Sequence, residues 1–116
     1  MHSMPWRWCR RRGGRGRPHS ILYLSHLPST REFIPSPLLI MEPVKLTYPE
    51  FEVLRMSDLE KLTQEEIAKK MKTSRATVWR LLESAREKVA RALVESRILV
   101  ISLEGELKST DNSQTD

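Results

Sequence analysis

The sequence lacks the features that would indicate a secreted, membrane-spanning or enzymatic protein. A single cysteine, Cys9, excludes an intrachain disulfide and is typical of a reducing compartment. No apolar run approaches the roughly 18 residues of a membrane span, and no apolar segment follows the charged start as in a secretory signal. Gly-rich phosphate loops, paired carboxylates on one helix face and nucleophile–base spacings are missing too. We therefore expect a cytoplasmic protein that is not an enzyme and needs no cofactor.

Acidic residues are missing from the first 31 positions, and this absence divides the chain by charge. That segment holds seven arginines, and Glu32 is the first acid. Of the 20 Lys+Arg, 13 remain in the rest of the chain against 15 Asp+Glu, a formal charge of −2. The sequence pI of 9.7 therefore comes from the N-terminal part. A basic segment beside a near-neutral domain predicts a polyanionic partner.

Residues 1–20 contain too little apolar surface to offset the ordering of the chain, so they predict a disordered basic arm. Within it, Arg15-Gly16-Arg17-Pro18 resembles an AT-hook, in which glycine lets the backbone reach the minor-groove floor and the arginines extend along an A·T groove. Arginines 10 to 12 (Arg10, Arg11, Arg12) would add phosphate contacts. Nonspecific phosphate binding and RNA binding by the arm are the alternatives.

Proline and capping signals organise the rest of the chain. Prolines at 28, 35, 37 and 43 exclude a helix from residues 21–43, which predicts a Pro-rich extended segment. Two S/T-x-x-E capping boxes, Thr47–Glu50 and Thr63–Glu66, predict helices running to about Lys61 and to Met71. Ser74 is the expected N-cap of a third helix that continues to about Ser96.

The predicted fold class is mainly α, a three-helix helix-turn-helix domain over residues 44–103. Val44–Leu46 and Ile98–Leu103 are expected to be flanking strands that could pair as a short β-ribbon. The basic arm precedes this domain, and residues 104–116 are expected to form a polar flexible tail. The first helix offers Phe51, Leu54, Met56 and Leu59 for burial.

The third helix has a polar face that predicts DNA contacts. Its apolar stripe begins at Val78 and Leu81, and the opposite face would read the major groove. Arg75 and Arg80 are candidates for bidentate contacts to guanine edges, and Ala76 and Thr77 for thymine methyl groups. Trp79 would contact sugar or a thymine methyl, or else cover the seam between helices two and three. The full set of candidates on this helix is Ser74, Arg75, Ala76, Thr77, Trp79, Arg80 and Glu83.

Residues 63–93 resemble the promoter-binding helix-turn-helix of sigma factors, in which T-x-E-E-I-A precedes S-x-x-T-V and S-A-R. From Met4 to about Ser102 the chain also resembles an uncharacterised family of small prokaryotic predicted DNA-binding proteins. That likeness rests on CRRR, EPVKLTYPEFEVLRMSDLEKLTQEE, SRATVWRLLESAREKVARALVES and ILVIS. The departure is the turn, where Lys72-Thr73 replaces the usual glycine and aliphatic residue, and a left-handed lysine costs roughly 1 kcal/mol.

These resemblances imply a transcription regulator whose partner is double-stranded DNA, in a cytoplasmic, nucleoid-associated location. The spare apolar length of the third helix predicts a homodimer. The alternative is a sigma-like interaction module that binds a protein such as RNA polymerase. Cys9, His19 and His26 lack the paired spacing of a metal site, so no metal is expected.

Overall fold

The predicted fold class is wrong, because the structure is a mixed α and β fold and not a mainly α three-helix domain. The computed structural model describes residues 4–10 and 21–110, and within them three helices accompany two three-stranded sheets. The helices are α1 (Tyr48–Leu54), α2 (Gln64–Met71) and α3 (Arg75–Glu95), and the strands are β1 (Trp6–Arg10), β2 (Ile21–Leu24), β3 (Glu32–Phe33), β4 (Val44–Thr47), β5 (Leu99–Ser102) and β6 (Gly105–Ser109).

The first sheet has the order β2–β1–β6 and is antiparallel throughout. Its central strand, β1, comes from the segment in which the sequence predicted a disordered arm. Trp8 explains the difference, because its side chain is buried in the core and its indole N–H donates to the Leu103 carbonyl oxygen at 2.8 Å. The composition of residues 1–20 indicated too little apolar surface for an ordered strand, but one buried tryptophan supplies enough.

The third strand of this sheet, β6, lies in the segment expected to be a flexible tail. Gly105 begins it opposite Arg10, beneath the ring of Trp8. A Cβ atom at Gly105 would lie 2.5 Å from the Cys9 carbonyl oxygen and 2.6 Å from the Trp8 ring. Both distances are shorter than van der Waals contact, so no side chain fits at this position.

The second sheet has the order β3–β5–β4. The predicted pairing of Val44–Leu46 with the Ile98–Leu103 run is present, and it is parallel, with Val44 opposite Leu99. The expected two-strand ribbon is wrong, because β3 adds a third, antiparallel strand on the other side of β5. Phe33, which belongs to the predicted Pro-rich segment, is thus part of a strand.

Capping confirms the predicted helix starts. In α1 the Thr47 side chain accepts from the Glu50 N–H at 3.3 Å, and the Glu50 carboxylate accepts from the Thr47 N–H at 2.8 Å. Thr63 and Glu66 make the same reciprocal pair at 3.1 and 2.8 Å before α2. These contacts satisfy backbone donors that a helix start otherwise leaves unpaired.

The first helix does not end as an α-helix, because α1 continues into a π-helical segment, Arg55–Leu59. The wider turn shifts the angular position of the side chains that follow it. Met56 is buried as predicted, but Leu59 is 76% exposed, which corrects its predicted burial. The core lies between the first sheet and the helices and consists of Met4, Trp8, Leu22, Leu24, Val53, Met56, Ile67, Ala68, Met71, Val78 and Leu82.

Two buried carboxylates on α1 connect it to its neighbours. Glu52 is fully buried and accepts from the Ser25 N–H at 2.6 Å, from the Ser25 hydroxyl at 2.7 Å and from the Arg55 guanidinium. Glu50 accepts from the Ser84 hydroxyl at 2.5 Å and from the Lys88 ammonium at 2.8 Å. Glu52 thus holds the end of β2, and Glu50 holds the middle of α3. Buried carboxylates are tolerated only when satisfied in this way.

Burial raises the pKa of Glu50, but hydrogen bonds from Lys88, Ser84 and the Thr47 N–H, with the charge of Lys88, outweigh burial. The net result is a pKa below the ordinary glutamate value. A carboxyl whose pKa is lowered by folding stabilises the folded state above its unfolded pKa. That stabilisation disappears as the pH falls through the folded pKa.

We expect Gly105→Ala to destabilise the protein by about 2–3 kcal/mol, since the new methyl group must displace Trp8 or the β1 backbone. Urea unfolding monitored by tryptophan fluorescence measures this loss. Glu106→Ala, at an exposed position on the same strand, is the matched control and should change stability by less than about 0.5 kcal/mol. Similar stabilities for the two variants would contradict the contact.

We expect the urea midpoint of the wild type to fall as the pH drops below roughly 4, in part because Glu50 becomes protonated and its bond to Lys88 is lost. Glu50→Gln should be less stable near neutral pH, and its stability should depend less on pH across the acidic range. Glu87→Gln, at an exposed carboxylate on α3, is the control. A pH dependence of Glu50→Gln equal to that of the wild type would rule out this contribution.

Candidate nucleic-acid interface

The start of α3 is fixed by its N-cap. Ser74 accepts from the Thr77 N–H at 3.0 Å, which confirms it as the cap residue. Its hydroxyl also lies 3.0 Å from the Thr77 hydroxyl, as hydrogen-bond donor to it. Both side chains are therefore already engaged with each other, and their hydroxyls are less available to an external partner than the sequence suggested.

The turn between α2 and α3 contains a lysine in the left-handed backbone conformation, which costs free energy for any residue other than glycine. Lys72 is left-handed, with φ 57° and ψ 53°, and the Thr73 N–H donates to the Ala68 carbonyl oxygen at 3.0 Å. The ammonium group of Lys72 lies 4.8 Å from the centroid of the Tyr23 ring on β2. A cation–π contact of this kind contributes about 0.5–1 kcal/mol, which offsets most of the backbone strain.

Packing of α2 on α3 directs the polar face of α3 outward. Ala68 and Met71 are buried against Val78 and Leu82 in the same core cluster. The small side chain of Ala68, 6% exposed, permits a close approach of the two helices. The face away from this contact is exposed at Arg75, Ala76, Trp79, Arg80 and Glu83.

Trp79 resolves one of the alternatives that the sequence left open. Its side chain is 52% exposed and does not belong to the core cluster. It therefore does not cover the seam between α2 and α3 as a buried residue. A half-exposed tryptophan between two arginines instead leaves a planar apolar surface available to a ligand.

The arginines of α3 fall into two groups according to their partners. Arg86 binds Asp58 at 2.6 Å, and Arg91 lies between Glu87 at 2.9 Å and Glu95 at 3.3 Å. Arg75 and Arg80, in the first two turns, make no hydrogen bond or ion pair with any residue in the described ranges. The guanidinium groups in the N-terminal part of α3 are therefore free of described partners, whereas those in its C-terminal part are neutralised by carboxylates.

Three lysines that were not among the predicted DNA-contacting residues add positive charge beside these arginines. Lys69, Lys70 and Lys72 are exposed, and no described carboxylate forms an ion pair with them. Cations in the last turn of a helix are common because they complement its dipole, so this signal alone was weak. Only the fold shows that they flank the exposed start of α3.

The predicted arm residues are placed differently from the expectation. Arg10 is exposed at the end of β1, with its guanidinium 5.9 Å from the Trp8 ring centroid. The remaining candidates, Arg11, Arg12, Arg15, Gly16 and Arg17, lie outside the described residues. Because β1 and β2 pair with Cys9 opposite Ile21, residues 11–20 connect two neighbouring strands. The predicted arm is therefore interrupted by β1, and the prediction for residues 11–20 lies outside the described ranges.

Arg10 and the free arginines of α3 do not lie at one site. Arg10 lines a recess of about 400 Å³ together with Lys45, Lys88 and Glu104. Lys88 is 13 residues beyond Arg75, which corresponds to about 20 Å along the helix. The two predicted DNA-contacting groups are thus beside different parts of α3, and a ligand that contacts both must be extended.

Other kinds of site find little support in the described part of the chain. Residues 4–10 and 21–110 contain no group of three or more His, Cys, Asp or Glu side chains that could hold a metal ion. None of the helices in those ranges is long and apolar enough to cross a membrane.

We expect Lys72→Gly to relieve left-handed strain of about 1 kcal/mol but to lose the contact with Tyr23. Its stabilising effect should therefore be larger in a Tyr23→Leu background than in the wild type, by about 0.5–1 kcal/mol. Urea unfolding of the four proteins gives this difference. Equal effects of Lys72→Gly in the two backgrounds would show that the ring does not interact with the lysine.

Comparison with known proteins assigns the chain to a family of unestablished function. The family model described as "Protein of unknown function DUF134" matches residues 9–110. A UPF0251 protein of Pyrococcus furiosus is 46% identical over 97 residues, covering 81% of this chain and 90% of that protein. A UPF0251 protein of Archaeoglobus fulgidus is 42% identical over 103 residues, covering 89% and 97%.

A UPF0251 protein from a bacterium, Halothermothrix orenii, is 45% identical over 85 residues, covering 72% of this chain and 63% of that protein. No solved structure matches the chain. The matched region includes both sheets and all three helices. The chain belongs to the DUF134/UPF0251 family of small prokaryotic proteins of unknown function.

Proposed function

We propose that this protein binds double-stranded DNA and regulates transcription, with the N-terminal part of α3 in the major groove. The observation that supports this most is the contrast among the arginines of α3. Arg75 and Arg80 are exposed and unpaired within the described residues, whereas Arg86 and Arg91 are bound to carboxylates. Unpaired guanidinium groups on one exposed helix face suit bidentate contacts to guanine O6 and N7.

The remaining residues of this face suit other contacts in the same groove. Trp79 offers a flat apolar surface for a thymine methyl group or a sugar, and Ala76 permits close approach of the helix. Glu83 can accept from the amino group of cytosine. The backbone N–H groups at the start of α3 favour a phosphate oxygen, since they have no partners within the helix.

Phosphate contacts would supply most of the affinity. Lys69, Lys70 and Lys72 lie beside the start of α3 and can neutralise phosphates on the flanking backbone. The arginines between β1 and β2, including the AT-hook-like Arg15-Gly16-Arg17, provide a second basic segment for phosphate or minor-groove contacts. Such a protein would act in the cytoplasm at the nucleoid and, given the small area of one reading helix, as a homodimer.

Selection of bound duplexes from a random pool should recover a defined sequence. For that sequence we expect Arg75→Ala and Arg80→Ala to weaken binding by about 1–3 kcal/mol each and to relax specificity at one base pair each. Arg91→Ala, at an exposed arginine of the same helix, is the matched control and should leave affinity unchanged. No recovered sequence, or equal losses for all three variants, would overturn the proposal.

Lys69→Ala and Lys70→Ala should weaken binding to all duplexes alike, and each should reduce the slope of log K against log salt by about 1. Replacing Arg11, Arg12, Arg15 and Arg17 by serine tests the second basic segment without removing β1. We expect weaker binding with the sequence preference retained. Complete loss of nucleic-acid binding in that variant would instead indicate RNA or DNA binding by this segment alone, against the role given to α3.

A further inference from the structure

Six large apolar side chains are exposed around the C-terminal end of α3, far from the exposed face of Arg75, Trp79 and Arg80. Phe33 and Ile34 line a groove of about 430 Å³ together with Val89 and Leu93. The stretch that follows Ile34 crosses the end of the helix, where the Leu39 N–H donates to the Ser96 carbonyl oxygen at 3.1 Å. The six side chains are 42–76% exposed: Phe33, Ile34, Leu39, Ile40, Met41 and Leu93. We call them the apolar end patch.

The area of the apolar end patch is at the upper end of what a monomer leaves exposed. With roughly 150–200 Å² for a fully exposed large apolar residue, the six residues leave on the order of 600–750 Å² in contact with water. The largest apolar patch on a typical monomer is about 300–600 Å². A stable interface buries about 800 Å² on each partner. The patch therefore approaches the area that one side of a stable interface buries.

Few apolar residues lie outside the described ranges. Residues 11–20 read RRGGRGRPHS and residues 111–116 read DNSQTD, and neither contains Val, Ile, Leu, Met, Phe, Tyr or Trp. Residues 1–3 contribute one methionine. An apolar surface of this area needs an apolar partner surface, and a second copy of the chain brings one of the same area.

The charges beside the patch favour a second copy. Arg97, which lines the groove, contacts Glu95 at 2.8 Å and Glu42 at 3.9 Å. Two carboxylates thus lie beside one guanidinium group within one protomer. A rim of nearly neutral charge does not repel its own copy, and it offers no field to attract a strongly charged partner.

The shape of the patch also suits self-association. It contains both a groove, at Phe33 and Leu93, and a row of exposed side chains beside it, Leu39 to Met41. A twofold axis places the row of each protomer against the groove of the other, because an isologous interface uses the same surface twice. We propose that the apolar end patch is the homodimer interface of this protein.

This interface determines the separation of the two reading helices, a consequence that rests on the proposed function. Trp79 and Leu93 are 14 residues apart, which is about 21 Å along α3. With the twofold axis near Leu93, the two reading faces lie at most about 42 Å apart. That range includes the 34–36 Å between successive major grooves on one side of B-DNA. The geometry points to two inverted half-sites one helical turn apart.

Sedimentation equilibrium of the full chain without DNA tests the interface independently of any function. We expect a dimer at tens of micromolar, and Leu93→Glu should raise its dissociation constant at least about 30-fold, because burying an unpaired charge at a central contact costs 2 kcal/mol or more. Leu59→Glu is the matched control, since both leucines are 76% exposed but Leu59 lies on the π-helical segment. It should leave the dimer intact.

Because Leu93 is already exposed, its variant should fold, and circular dichroism verifies this. Met41→Glu, at a position 75% exposed, provides a second test of the same patch. A monomeric wild type, or equal dissociation of the Leu93 and Leu59 variants, would overturn the interface. The Arg75→Ala, Arg80→Ala double variant should remain dimeric. A dimer that binds no duplex would refute the proposed function alone, whereas selected duplexes with a single half-site would refute the spacing.

Discussion

The fold depends on the packing of the Trp8 ring against Gly105. Trp8 fills the core side of β1, and its ring occupies the space that any side chain at residue 105 would need. The contact joins the two ends of the sequence, and with the hydrogen bond to the Leu103 carbonyl it makes β1 the central strand of its sheet. Without that strand β2 and β6 have no common neighbour, and the core loses the side chain that shares one cluster with Leu22, Val53 and Met56. The contact that joins the two ends of the sequence is therefore also part of the core beneath the helices.

Charged side chains have two distinct uses in this molecule. Glu50 and Glu52 are buried, and each joins α1 to an element distant in sequence, α3 and the end of β2. Such fully bonded carboxylates fix one arrangement of the helices, because a shifted arrangement would leave a buried charge unsatisfied. At the start of α3 the charges are exposed and have no partner among the described residues. The first group thus fixes the position of α3, and the second group lies at the start of that helix.

Local signals could be read from the sequence, and long-range pairing could not. The Thr47–Glu50 and Thr63–Glu66 boxes act within four residues, so their sequence alone predicted both helix starts. The left-handed position of Lys72 was indicated only by the resemblance to helix-turn-helix motifs, which usually have glycine there. The first sheet was missed because β1 and β6 lie at residues 6–10 and 105–109, where composition indicated an arm and a tail. A single tryptophan and a single glycine carry that pairing, and neither forms a periodic pattern. The outward position of Leu59 was missed because a π-helical turn has no sequence signature of its own.

The pairing of β1 with β2 changes the thermodynamics expected for the arginine-rich stretch between them. A terminal tail that becomes ordered on a ligand loses the conformational freedom of its whole length, with one end unrestrained. Residues 11–20 begin and end at adjacent strands, so folding has already closed the loop and removed part of that entropy before any ligand arrives. A segment joined at both ends to adjacent strands has less entropy left to lose on a ligand than a tail of the same length. The contacts proposed for these arginines would therefore carry a smaller entropic cost than the same contacts made by a free tail.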